Sequence, residues 1–134
     1  MSTPKTIHHI NILVRDLESK IVVFEKLLDK TPERRALQNR QVQTASFQLG
    51  ETYLVLVSPT TKDSVVANIL EEKGEGLFLL SFGVTDLEKA IDVLQHKNIT
   101  NAVAETRTGI DNWKIQDIPL IESVGCILQF TELS

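Results

Sequence analysis

"KGEGLFLLSFGVTDLEKAI", residues 73–91, decides how this 134-residue chain is read, because it repeats an earlier stretch with one telling change. Set over "HINILVRDLESKIVVF", residues 9–24, it aligns Val14 with Val84, Asp16 with Asp86, Leu17 with Leu87, Glu18 with Glu88, Ile21 with Ile91 and Val23 with Val93, a constant shift of 70 positions. Repetition of this kind marks a duplicated structural unit. In each copy an apolar run ends at an aspartate that precedes apolar residues at helical spacing. Leu17, Ile21, Phe24 and Leu28 follow Asp16, while Leu87, Ile91 and Leu94 follow Asp86. An aspartate in that place caps a helix, so both copies predict strand, tight turn, amphipathic helix. The telling change is at the start: where the first copy has His9, the second has Leu79.

Working outward, three further strands are expected after each helix. In the first half they are "RRALQ", "QVQTASFQL" and "TYLVLVS", with Gly50 and Glu51 turning the last pair. In the second they are "ITNAVAE", "NWKIQDI" and "GCILQFTE", separated by the turn-rich "TRTGID" and "PLIESVG". Between the halves the chain leaves its strand at Pro59 and predicts a short helix capped by Asp63 and stopped at Gly74. The expected class is α+β, with two βαβββ modules: residues 1–60, a helical linker 61–75, and residues 76–134.

Composition narrows the function. With 42% hydrophobic and 24% charged residues the chain has ordinary globular make-up. No apolar run approaches the roughly 18 residues a membrane helix needs, and "MSTPKTIHHINI" contains no apolar core of a signal peptide. Cys126 is the single cysteine, which rules out an internal disulfide, fits a reducing cytoplasm, and in "GCILQF" reads as a small buried hydrophobe. A net charge of -4 with scattered basic residues argues against nucleic acid as a partner; "PERR" with Arg40 reads as a solvated edge.

Strand alternation sorts side chains onto two faces. Phe78, Leu80, Phe82 and Val84 should pack under the helices, leaving Leu77, Leu79, Ser81 and Gly83 on the other side. By the repeat, Ile10, Ile12 and Val14 face the first helix while His9, Asn11 and Leu13 face away, and His8 points opposite to His9. The face away from the helices is where a ligand would be held.

"IHHINILVRDLE" followed by an amphipathic helix resembles the opening of the vicinal oxygen chelate superfamily, which includes glyoxalase I, extradiol dioxygenases, bleomycin- and fosfomycin-resistance proteins and methylmalonyl-CoA epimerase. "LGETYLVLVSP", "KGEGLFLLSFGVTD" and "GCILQF" are similar in order and spacing to segments of the epimerase branch, so the likeness runs along nearly the whole chain. It implies paired, curled mixed sheets around a cleft, the glyoxalase-like fold. It also implies a divalent metal held by four side chains, whose positions fall on His9, Val55, Leu79 and Gln129. Val55 and Leu79 have no donor atom, and Gln129 offers a neutral amide where the family has a carboxylate. A transition metal needs several converging N, O or S donors. The residues agree independently, since each carboxylate outside the helices (Glu51, Glu75, Glu105, Asp111, Asp117, Glu122, Glu132) falls at a turn or strand end. The expectation is therefore no metal and no cofactor.

What remains is a neutral polar set. His9, Asn11, Tyr53, Ser81, Gln116 and Gln129 are the candidate ligand-binding residues, over an apolar floor of Leu13, Val55 and Leu79. His9 is the one candidate catalytic group, an imidazole able to move a proton; its competing reading is a vestigial ligand position, now a hydrogen-bonding side chain of the cleft wall. Tyr53 and Trp113 are the only Tyr and Trp, suited to stacking or to interface packing. Lys114 reads as solvated, and "KGEG" has no phosphate-loop pattern.

Three functions fit. The first is a metal-independent member of the superfamily that binds a small organic molecule and sequesters or isomerises it, with only donors such as Asn11 or Gln129 to stabilise an enolate oxygen. The second is a metal-dependent epimerase or lyase of the methylmalonyl-CoA epimerase or glyoxalase I type. The third is a non-catalytic structural or regulatory subunit. The resemblance further implies a homodimer.

Overall fold

The computed structural model describes residues 3–100, 106–120 and 124–133. Among these residues, eight strands and three α-helices run in the order β1 (Thr6–Leu13), α1 (Leu17–Leu28), β2 (Glu33–Leu37), β3 (Val42–Leu49), β4 (Thr52–Pro59), α2 (Val65–Lys73), β5 (Gly76–Val84), α3 (Leu87–His96), β6 (Arg107–Thr108), β7 (Lys114–Asp117) and β8 (Ile127–Glu132). The class is α+β, and each half is a βαβββ unit joined by a helix. Of the expected strands, "ITNAVAE" has residues 101–105 outside the described ones.

By contacts the chain forms two compact units, Ile10–Phe78 and a second comprising Met1–His9 with Leu79–Ser134. In the Ile10–Phe78 unit the strand order is β2-β3-β4-β1. β2 and β3 pair antiparallel from Glu33 opposite Ser46 to Leu37 opposite Val42, and β3 and β4 from Val42 opposite Pro59 to Leu49 opposite Thr52. Helix α1 covers one face. Its Leu17 and Ile21 pack with Val14, Ala45, Phe47 and Leu56, flanked by Ile12, Phe24, Leu28 and Leu54. This is the apolar stripe read from the sequence, and Asp16 caps it by accepting from the Ser19 N–H. Glu75 bonds the Arg15 N–H at 2.8 Å and lies 3.5 Å from Lys20 Nζ, so the "KGEG" turn braces the start of α1.

The linker helix starts one residue later than expected. Its cap is Ser64, whose Oγ accepts from the Ala67 N–H at 3.0 Å, and not Asp63. Serine and aspartate are near-equal caps, so tertiary placement decided between them: Ser64 is buried. Gly74 ends the helix at φ 79, as expected.

In the second unit the order is β5-β8-β7-β6. β5 and β8 run parallel with Leu79 opposite Ile127, Ser81 opposite Gln129 and Gly83 opposite Thr131; β7 and β8 are antiparallel with Gln116 opposite Phe130 and Asp117 opposite Gln129. Helix α3, capped by Asp86 through the Lys89 N–H at 3.1 Å, packs Leu87, Ala90 and Ile91 against Val84, Ile118 and Phe130. The N-terminal stretch joins this unit, with the Lys5 N–H on the Gly83 carbonyl at 2.9 Å. His8 and His9 therefore belong to the unit that also holds Leu79.

Candidate functional site

On the face of the second unit turned away from α3 lie Leu79, Ser81 and Gly83 from β5 and Ile127, Gln129 and Thr131 from β8, as register dictates. Ser81 is fully buried and shares a 2.7 Å hydrogen bond with Thr131. Gln129, 1% exposed, gives an amide hydrogen to Asp117 Oδ1 at 3.0 Å, and Asp117 Oδ2 meets Arg107 Nη1 at 3.1 Å. This bracing fixes the amide, because turning it over would set its oxygen against the carboxylate. The remaining amide oxygen of Gln129 is buried facing His9, and Arg107 Nε is buried without a hydrogen-bond partner.

His9 is 4% exposed and stacks on Trp113, ring centroids 4.9 Å apart at 26°. His8 meets the same indole edge-on at 4.5 Å and 86°. The two imidazoles approach through Nδ1 atoms 2.9 Å apart, which requires one ring to carry its proton there and the other to accept it. Both rings are held neutral. Burial drives the His9 pKa down to about 3, with the neighbouring His8 pushing the same way and the facing Gln129 side chain opposing. Burial also lowers that of His8. Trp113 is placed by a tight turn in which Asp111 (φ 53) and Asn112 (φ 63) are both left-handed, a conformation these residue types tolerate.

Two expectations need correcting. His8 does not point away from His9; the rings touch, and Trp113 bridges them. Gln116 does not share the face of Gln129. The β7–β8 register sets it opposite Phe130, a residue of the α3 core, where its Oε1 accepts from Thr106 Oγ1 at 3.1 Å. The position next to Gln129 goes to Asp117. The β7 parity would have revealed this had the hairpin register been readable from "NWKIQDIPLIESVGCILQF", but its turn carries no short hairpin signature.

Asn11 and Tyr53 belong to the Ile10–Phe78 unit. Asn11 Oδ1 is buried without a hydrogen bond, as is Ser46 Oγ, which sits on β3 opposite Val55. Tyr53 is half-buried on β4 opposite Gln48. A groove of about 560 Å³ beside α2 in this unit is lined by Thr60, Thr61, Lys62, Asn68 and Glu71 among others, polar residues that are all exposed.

The four positions the resemblance assigns to a metal do not fit one. Val55 (0% exposed) and Leu79 (6%) present only carbon, and Gln129 is a neutral amide tied to Asp117. Among the described residues no group of three or more His, Cys, Asp or Glu is placed to hold a metal ion.

The sequence pattern of the Glyoxalase/Bleomycin resistance protein/Dioxygenase superfamily matches residues 8–116. The chain belongs to this superfamily. An uncharacterised Bacillus subtilis (strain 168) protein, YqjC, is 28% identical over 125 residues, covering 92% of this chain and 89% of that one. The human mitochondrial methylmalonyl-CoA epimerase is 27% identical over 105 residues, covering 77% of this chain and 60% of the human protein. Methylmalonyl-CoA epimerase from Streptomyces coelicolor, solved in complex with 2-nitronate-propionyl-CoA, superposes with a TM-score of 0.87 at 22% identity, covering 98% of this chain and 99% of that one. The glyoxalase-like fold implied by the resemblance is thus the fold of the superfamily member described here. No helix among the described residues is long and apolar enough to cross a membrane.

Proposed function

We propose that this superfamily member binds a small organic molecule at the His9 face without a metal, and holds it rather than turning it over. The observation that carries the reading is the donor set: carbon at Leu79 and Val55, and a braced amide at Gln129. Against turnover stands His9 itself, because an imidazole whose conjugate acid has a pKa of about 3 is a weak base at neutral pH. The Gln129 amide also turns its oxygen, not a donor, toward the site, so it adds little to a forming enolate oxygen. The protein works in the cytoplasm, as a homodimer, with neither nucleic acid nor membrane as partner.

The test is elemental analysis of untagged protein together with a thermal-shift screen of CoA esters, glutathione adducts and aromatic antibiotics. Metal far below one equivalent is expected, with a rise in melting temperature for one ligand class, since a ligand at 100 times its Kd adds about 2.7 kcal/mol. One equivalent of nickel, zinc, cobalt or manganese would replace this reading by its rival, a metal-dependent epimerase, which draws on the similarity to the human enzyme. Light scattering after gel filtration checks the dimer.

A further inference from the structure

We infer that the outer face of α1 docks a second copy of this chain, the two helices pairing antiparallel about a two-fold axis at Val22. This rests on the homodimer reading and names the surface it uses. Val22, Val23 and Leu27 are 50%, 53% and 69% exposed, on the side of α1 turned away from the core residues Leu17 and Ile21. With about 100° of turn per residue, exposed Ser19 and Lys26 fall between Val22 and the Val23–Leu27 pair, so the five make one patch. The repeat supplies a control within the same molecule. Helix α3 packs on its own sheet through Leu87 and Ile91, the counterparts of Leu17 and Ile21. On its outer side the shift of 70 sets Lys89, Asp92, His96 and Lys97 over Ser19, Val22, Lys26 and Leu27. The fold therefore tolerates a charged helix back at this place, and α1 carries an apolar one that a solvated helix does not need.

Charge complementarity selects a second copy as the occupant and fixes its direction. Glu18 lies in the first turn of α1 and Lys26 in the last, both at the border of the patch. Lys26 makes no ion pair among the described residues. Glu18 is steadied by Arg34 of β2, which donates to both of its oxygens. A carboxylate has about four acceptor sites, so Arg34 orients Glu18 without using it up. In an antiparallel two-fold pair centred on Val22, each Lys26 meets the partner's Glu18, and the negative end of each helix lies beside the positive end of the other. A parallel pair would instead set Lys26 against Lys26. One helix on one helix is a small contact, below the ~800 Å² per partner of a standard interface, so the dimer should form with a Kd on the order of 10 μM.

Sedimentation equilibrium of the full-length protein, from about 1 to 200 μM, should show monomer and dimer in exchange. Val23→Lys combined with Leu27→Lys should raise the Kd about tenfold or more, and Lys26→Glu about threefold or more at low salt. Lysine is no worse a helix former than valine or leucine, so the double variant keeps its fold, checked by an unchanged far-ultraviolet circular dichroism spectrum. Direction is read by oxidative cross-linking in a Cys126→Ser background. Val22→Cys, at the two-fold axis, should give a disulfide-linked dimer. Ser19→Cys should not, because it lies about 9 Å along the helix from its own counterpart, beyond disulfide reach. A dimer whose Kd ignores the α1 variants, or a Ser19→Cys cross-link as strong as that of Val22→Cys, overturns the inference and leaves the homodimer reading standing. A monomer at every concentration overturns both.

Discussion

His9 illustrates how a single residue changes its work when its partners change. In the first copy of the repeat it holds the place of a metal ligand. In this chain it is a neutral ring between an indole, a second imidazole and an amide. Its depressed pKa carries a consequence for stability. In the unfolded chain an ordinary histidine binds a proton near pH 6.5, whereas folded His9 resists until about pH 3. Between those values the unfolded state holds more protons, so stability falls as the pH drops through the window, by about 1.4 kcal/mol per pH unit for this one group. Urea unfolding at pH 7 and pH 5 should show a steeper acid loss for the natural protein than for His9→Asn, which removes the titrating group. Parallel losses in the two proteins would contradict the burial described for His9.

Elements are specified here by short-range signals, with a few long-range departures. The two helix caps look alike in sequence yet differ in geometry: Asp86 Oδ1 lies 3.1 Å from the Lys89 N–H, while Asp16 Oδ1 is 3.5 Å from that of Ser19. Asp86→Ala should therefore cost about 1 kcal/mol in chemical denaturation and Asp16→Ala distinctly less. The repeat also breaks at Gly83, which replaces Leu13 of the first copy. A Cβ there would lie 2.6 Å from Thr6 Oγ1 and 2.8 Å from Leu133 Cδ2, so Gly83→Ala should destabilise by about 1–3 kcal/mol, read as a lower melting temperature. Strands β1–β5, β7 and β8, the helices, and the Asp16 and Asp86 caps were legible because periodicity and capping are local; β6, inside the expected turn "TRTGID", was not. Ser64 over Asp63, His8 against His9 and Gln116 on the helix side were not, because burial, ring packing and hairpin register depend on residues far along the chain. Alternation put Ser81 on the face away from the helices, and the resemblance put Gln129 there; the register of β5 with β8 sets the two opposite each other. Their partners Thr131, Asp117 and Arg107 became visible only once β8 was set beside β5 and β7.

At the scale of the whole molecule, duplication has left one scaffold with two differently furnished halves. Thr6–His9 completes the unit built mainly from the second copy, which puts His9, Leu79 and Gln129 together in one unit. On the proposed metal-free reading, few side chains on an intact frame separate this chain from a metal site. Leu79→His combined with Gln129→Glu should yield a protein that takes up one equivalent of cobalt, visible as ligand-field absorption. Its melting temperature should fall without metal and recover with it. The natural sequence should show neither effect. One further feature bears on how such changes can be followed. The single indole of the chain is pressed against two imidazoles in the unit that carries Gln129. Its light emission is a built-in gauge of that neighbourhood alone, with no second tryptophan to blur the signal. When either imidazole gains a proton it becomes an electron acceptor beside the excited ring, so a dimming glow on acidification marks the moment this corner of the protein opens to water.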